Sequence, residues 1–323
     1  MDVNACDEEL LLPAHAVYIR WSWSDRLRAV EFDITMHNDP GSEIGEYLSP
    51  FNGEIDGAQI YFGIQTDVFR PSRPKPGWAT GAGVGKGLIF STWASFSASD
   101  TRVADDGFIQ LGTHEGNFAG VRRPYLWTTG DYRVRLARGE SDGDHDWFDL
   151  TIQPILPKRP GRIRRPLPAG ERVWIGALRF KRRDASVPAT ISSAGTTFIE
   201  VYSGATTFRE VSAWSCDLQA YGEAAFGVDH TDHTDHTDHT DGRRAKAEGA
   251  ERAERALRAV HAASEYPRFP HGQEVPNADA WFAKNRDRVH VAFGGETRRR
   301  HEAASLFDPE RENPSPESPQ TES

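Results

Sequence analysis

The chain has 323 residues, 37% of them hydrophobic and 27% charged, with a formal net charge of −10. That is long enough for one large domain, and lean enough in apolar side chains to predict that part of the chain is unpacked. With 29 Gly, 20 Pro and no long aliphatic run, the composition argues against a helical bundle and excludes a membrane-spanning helix, while the acidic balance makes nucleic acid a poor partner.

Residues 1–14 form a lead-in. Asp2, Asp7, Glu8 and Glu9 stand where an export signal needs positive charge followed by an apolar stretch, so no signal peptide is expected and a cytoplasmic location follows. The only cysteines are Cys6 and Cys216. So few in a chain this long fit a reducing compartment, with a disulfide between them as the open alternative.

From residue 15 to 222 the dominant signal is period two, the repeat of strands with one face on a core and one on water. Val17, Ile19, Trp21 and Trp23 alternate, as do Val30, Phe32, Ile34 and Met36. Ile60, Phe62 and Ile64 predict a further strand, and Leu88, Phe90 and Thr92 another. Tyr132, Val134 and Leu136 are joined to Phe148, Leu150 and Ile152 through the turn-forming Ser141-Asp142-Gly143-Asp144, so residues 131–153 read as a hairpin. More strands are expected at 172–180, 196–202 and 210–219. Without helix patterns between them, parallel crossovers are ruled out, and the prediction is an all-β antiparallel β-sandwich of jelly-roll or lectin type. A closed barrel is the alternative.

The chain then changes character. Residues 223–242 contain four His-Thr-Asp units and read as a polar linker. Residues 243–265 are Ala-rich, with Glu248/Arg252, Glu251/Arg255 and Glu254/Arg258 at i,i+4, which predicts one short solvated helix. Residues 266–323 are expected to be mostly disordered, with Ala280-Trp281-Phe282 as an anchor and Pro309, Pro314, Pro316 and Pro319 at the end.

Few motifs carry chemistry. Gly81-Ala82-Gly83-Val84-Gly85-Lys86-Gly87 lacks the spacing and the hydroxyl of a phosphate-binding loop and reads as a flexible turn into a strand. No cofactor is expected, but two places could take a cation. His230, His233, His236 and His239 of the repeat are candidate ligands for a divalent metal. Asp142, Asp144 and Asp146 resemble the start of a calcium loop, against the plainer reading of an acidic hairpin tip. Lys158 to Arg183 holds ten Lys or Arg against the single acid Glu171 and reads as a solvated loop rather than an anion-polymer platform. No catalytic constellation is present, neither a Gly-x-Ser-x-Gly elbow nor a His-Glu-x-x-His helix.

Several short motifs fall in a known order: Tyr61-Phe62-Gly63-Ile64-Gln65, Lys86-Gly87-Leu88-Ile89-Phe90-Ser91-Thr92-Trp93, His114-Glu115-Gly116, and Tyr125-Leu126-Trp127-Thr128-Thr129-Gly130-Asp131-Tyr132. Trp174 to Phe180 and Thr197 to Tyr202 follow. Over residues 15–222 the chain resembles the bacterial and fungal family known as domain of unknown function 3472. The resemblance implies a β-sandwich module whose relatives are mostly secreted and often sit beside carbohydrate-associated domains, which sets a secreted location against the cytoplasmic one, and it brings no settled activity. The residues themselves suit ligand binding: Trp93 and Trp127 offer flat faces for sugar rings, while Gln65, His114 and Glu115 offer directional hydrogen bonds. Core packing is the competing role for both tryptophans. The expected function is a non-catalytic, carbohydrate-binding module. The alternatives are a polysaccharide hydrolase or lyase using Glu115, and an intracellular interaction protein using the basic loop and tail.

Overall fold

The computed structural model describes residue 12 and residues 14–71, 81–93, 97–112, 117–155, 170–207, 210–225, 257–259, 261–266, 278–283, 288–294 and 297–307. The alternating apolar side chains form strands β1 (Ala14–Ser22), β2 (Leu27–Met36), β3 (Gly45–Ile55), β4 (Ala58–Gln65), β5 (Phe69–Pro71), β6 (Gly81–Gly83) and β7 (Gly87–Trp93). Then come β8 (Thr101–Val103), β9 (Phe108–Gly112), β10 (Phe118–Pro124), β11 (Gly130–Asp142), β12 (His145–Ile155), β13 (Val173–Lys181), β14 (Ala194–Ser203) and β15 (Trp214–Ala224). Five short strands end the series: β16 (Leu257–Arg258), β17 (His261–Glu265), β18 (Ala278–Ala283), β19 (Arg288–Phe293) and β20 (Ser305–Phe307).

Two large antiparallel sheets result, with β5 and β6 paired separately. The first runs β20-β17-β1-β14-β3-β4-β7-β10-β9, and the second runs β18-β19-β15-β2-β11-β12-β13-β8. Their facing sides share one core, in which Ile19, Phe51, Phe62 and Phe90 of the first sheet meet Phe32, Leu136, Phe148 and Leu218 of the second, all fully buried. This is sandwich packing, driven by the apolar area both faces remove from water.

β3 shows why the alternation rule misses a central strand. Tyr47, Leu48 and Phe51 are all buried, so both faces are covered and no alternation survives. Pro50 cannot donate to a ladder, and the register shifts there against both neighbours, between Leu48 and Phe51 on the β4 side and between Thr196 and Phe198 on the β14 side. The bulge presses on β4: a Cβ at Gly63 would lie 2.0 Å from the Leu48 carbonyl oxygen, so only glycine fits.

The chain after the repeat departs from expectation. Residues 257–258 and 261–265, predicted as the end of a solvated helix, are strands, and the only helical turn among the described residues is the 3-10 turn Ala98–Asp100. Ala262, Ser264 and Tyr266 are buried and alternate with His261, Ala263 and Glu265, because β17 pairs along β1 from Tyr18↔Glu265 to Ser22↔His261. Backbone pairing at a sheet edge outweighs the helix preference of alanine. The predicted disordered segment 266–323 likewise contains β18, β19 and β20. β19 extends the second sheet through Trp214↔Phe293 to Leu218↔Val289, and β20 extends the first beyond β17. The sandwich therefore does not end at residue 222. Residues 226–256 and 308–323 lie outside the described residues. No helix among those described is long and apolar enough to cross a membrane.

Candidate functional site

The outer faces of the two sheets differ in how they treat their polar atoms. On the second sheet ion pairs run across the strands: Arg133 Nε meets Asp33 at 2.8 Å and Glu31 at 3.0 Å, and Arg135 Nη2 meets Glu223 at 2.7 Å. On the first sheet an aromatic row crosses the strands. Trp93 stands 4.5 Å from Tyr61 between ring centres, Tyr61 stands 5.5 Å from Tyr47, Tyr47 stands 5.4 Å from Phe198, and Phe198 stacks on His15 at 4.9 Å.

Polar side chains interrupt this row. Register places Tyr61, Ser91, Gly120 and Gln110 side by side across β4, β7, β10 and β9, and places Gln65 beside Tyr47. Ser91, Gln110, Gln65 and Tyr47 are buried, and Ser91 Oγ, Gln110 Oε1, Gln65 Oε1 and the Tyr47 hydroxyl have no hydrogen-bond partner among the described residues. A buried acceptor left unsatisfied costs about 1–3 kcal/mol, so four on one face call for an explanation. Gly120 keeps the middle of the row open, since a Cβ there would lie 2.6 Å from Ser91 Oγ. At the far end His15 Nε2 lies 3.3 Å from Glu200.

The sequence candidates fall in different places. Trp93 is half-buried on this face, and Gln65 shares it. Trp127 does not: it is fully buried, stacks on Trp214 at 6.4 Å between ring centres, and lies under the Lys86 ammonium at 4.3 Å. It wedges the ends of the two sheets together and offers no face to a ligand. His114 and Glu115 lie outside the described residues, as do His230, His233, His236 and His239.

The acidic hairpin tip is occupied by side chains of the protein itself. Asp142 bonds Arg179 at 2.8 Å, Asp144 meets His145 at 2.6 Å, and Asp146 accepts from Arg182 at 2.8 and 3.0 Å, from Ser141 and from the Ala189 N–H. Lys86 of the glycine-rich stretch is spent on Asp39 and the Trp127 ring. In the basic run, Arg179 and Arg182 are those cation partners, and residues 158–169 lie outside the described residues. Cys216 is a buried free thiol whose pKa burial pushes far up, which removes it as a nucleophile.

Two groups escaped the sequence reading. Glu46 is buried at an edge of the core, and burial pushes its pKa up to about 8 against the pull of the Ser212 backbone. On the second sheet, His37, Asp217 and His290 bring three ligand atoms within 4.8 Å of one another. Beside them His301 Nδ1 lies 3.0 Å from the buried Asp279. These residues are separated by long stretches of sequence, and no local motif announces them.

No protein-family model matches the chain, and no curated protein matches it. Solved structures that align with it include the secretin InvG of the Salmonella SPI-1 type III secretion injectisome, at 10% identity and a TM-score of 0.10, over 76% of this chain and 71% of that one. An atomic model of the injectisome basal body proteins InvG, PrgH and PrgK aligns at the same identity and TM-score over 51% of its chain. Scores this low carry no argument about fold or function.

Proposed function

We propose that the chain is a jelly-roll or lectin-like binding module whose ligand is a carbohydrate, taken by the outer face of the first sheet. The observation that carries this reading is the set of buried acceptors Ser91 Oγ, Gln110 Oε1 and Gln65 Oε1, without partners among the described residues, beside the rings of Trp93, Tyr61 and Tyr47. A sugar combines an apolar ring face, which stacks on indole and phenol, with hydroxyls that donate to such acceptors. The acceptors are out of solvent's reach, so the ligand enters past the half-buried edge at Trp93 and whatever covers the face yields. The resemblance of the motif order to the family known as domain of unknown function 3472, whose relatives often sit beside carbohydrate-associated domains, supports the same ligand class.

A glycan array followed by titration calorimetry tests the reading. Binding is expected in the full chain, to fall at least tenfold in Trp93→Ala and in Gln110→Ala, and to persist in Trp127→Phe. Absence of any glycan binding at millimolar concentration, or Trp93→Ala binding as well as the parent, would overturn it.

A further inference from the structure

We propose that His37, Asp217 and His290 form a binding site for one divalent transition-metal ion of the zinc class on the outer face of the second sheet. Two neighbouring strands and the residue just after a third deliver the ligands. Asp217 of β15 pairs in register with His290 of β19 on one side and Thr35 of β2 on the other, and His37 follows β2 directly, its N–H bonded to the Ser215 carbonyl oxygen at 3.0 Å.

Both imidazoles address the same carboxylate oxygen: His290 Nδ1 lies 2.6 Å from Asp217 Oδ1, and His37 Nε2 lies 3.1 Å from it. Zinc holds His nitrogen and Asp oxygen at about 2.0–2.1 Å, which in a tetrahedral shell separates ligand atoms by ~3.3 Å. The three atoms already lie within 4.8 Å of one another, so small side-chain adjustments seat the ion. Two nitrogens and one oxygen suit zinc and its first-row neighbours better than calcium or magnesium, which favour oxygen alone.

The ligands are held as metal ligands usually are, by a second layer of contacts. The Asp217 side chain is 3% exposed. The His290 ring is gripped from two sides, 5.3 Å from His37 and 4.1 Å from Trp281 between centres. Trp281 is backed in turn by His301 at 5.0 Å, which Asp279 anchors through both its ring nitrogen and its backbone N–H. His37, whose side chain is 30% exposed, is the side open to solvent, where a water or a ligand group completes the shell.

The test uses the full chain with His230→Ala, His233→Ala, His236→Ala and His239→Ala, so that the repeat contributes no ligand. This parent is loaded with Zn²⁺, dialysed against metal-free buffer and assayed for zinc by mass spectrometry; Co²⁺ loading reports coordination through its visible absorption. About one retained Zn²⁺ per chain is expected, with cobalt bands of a four- or five-coordinate site. His37→Ala should weaken binding at least tenfold, and Asp217→Asn or His290→Ala should abolish it. His37 lies outside the strands, so its variant keeps the metal-free melting temperature and separates loss of ligand from loss of fold. A parent that retains no zinc, or a His37→Ala variant that binds as tightly as the parent, overturns the proposal.

Discussion

Trp127 donates from its indole Nε1 to the backbone oxygen of Gln65 over 3.0 Å, and its ring has no contact with solvent. The bond fastens the segment after β10 to the end of β4, while the face of the ring meets Trp214 of the opposite sheet. Removing the ring leaves a large void, and Trp127→Ala is expected to cost about 3–5 kcal/mol. Trp127→Phe fills most of the volume and loses the hydrogen bond, for about 1 kcal/mol plus packing loss. Urea denaturation of both variants checks the order; equal stabilities of Trp127→Ala and the parent would remove the wedge role.

Glu46 makes stability depend on pH in the direction opposite to most carboxylates. Burial raises its pKa from 4.5 in the unfolded chain to about 8 in the folded one. Between those values the folded state holds a proton that the unfolded state has released, so stability is full below pH 4.5 and falls as pH rises to about 8. Within that window the loss approaches about 1.4 kcal/mol per pH unit. Glu46→Gln keeps the shape without the charge. Its melting temperature should be flatter than the parent's from pH 5 to 8 and should exceed it at pH 8; a parallel pair of curves would contradict this.

Asp146 works the other way. Burial opposes its charge, but Arg182, Ser141 and the Ala189 N–H together hold its pKa down to about 2. The stabilisation is complete above its ordinary value of 3.8 and is lost as pH falls from there towards 2. Asp146→Asn takes the carboxylate from Arg182 and should cost about 3 kcal/mol at pH 7. The gap between variant and parent, measured by chemical denaturation, should narrow as pH is lowered from 6 to 3. A gap that stays constant would assign the loss to packing instead of charge.

Strands with one apolar face were legible in the sequence, because polar and charged side chains on the other face enforce alternation: β2, with Phe32 and Ile34, and β11, with Val134 and Leu136, are plain examples. β3 was hidden by burial on both faces and by Pro50. β17 was hidden by alanine, which packs against β1 without an apolar pattern strong enough to read. Trp93 and Trp127 looked alike in sequence, since indoles serve cores and ligands equally, and only burial separates them. His37, Asp217 and His290 could not have been joined without the pairing of β2, β15 and β19.

The strands after residue 256 close the sandwich along one side of both sheets, and removing them tests whether the first part folds alone. β17 covers the free edge of β1, and β19 covers that of β15. Together with Tyr266, they and β18 place Ala262, Ala278, Ala280, Val289, Val291 and Phe293 in the shared core. A chain ending at residue 256 would expose two unpaired strand edges beside uncovered apolar surface, the combination that drives edge-to-edge association. It is expected to elute as oligomers in size-exclusion chromatography and to melt well below the full chain. A monomer with the full chain's melting temperature would show instead that β16–β20 are dispensable and that the domain ends near residue 225.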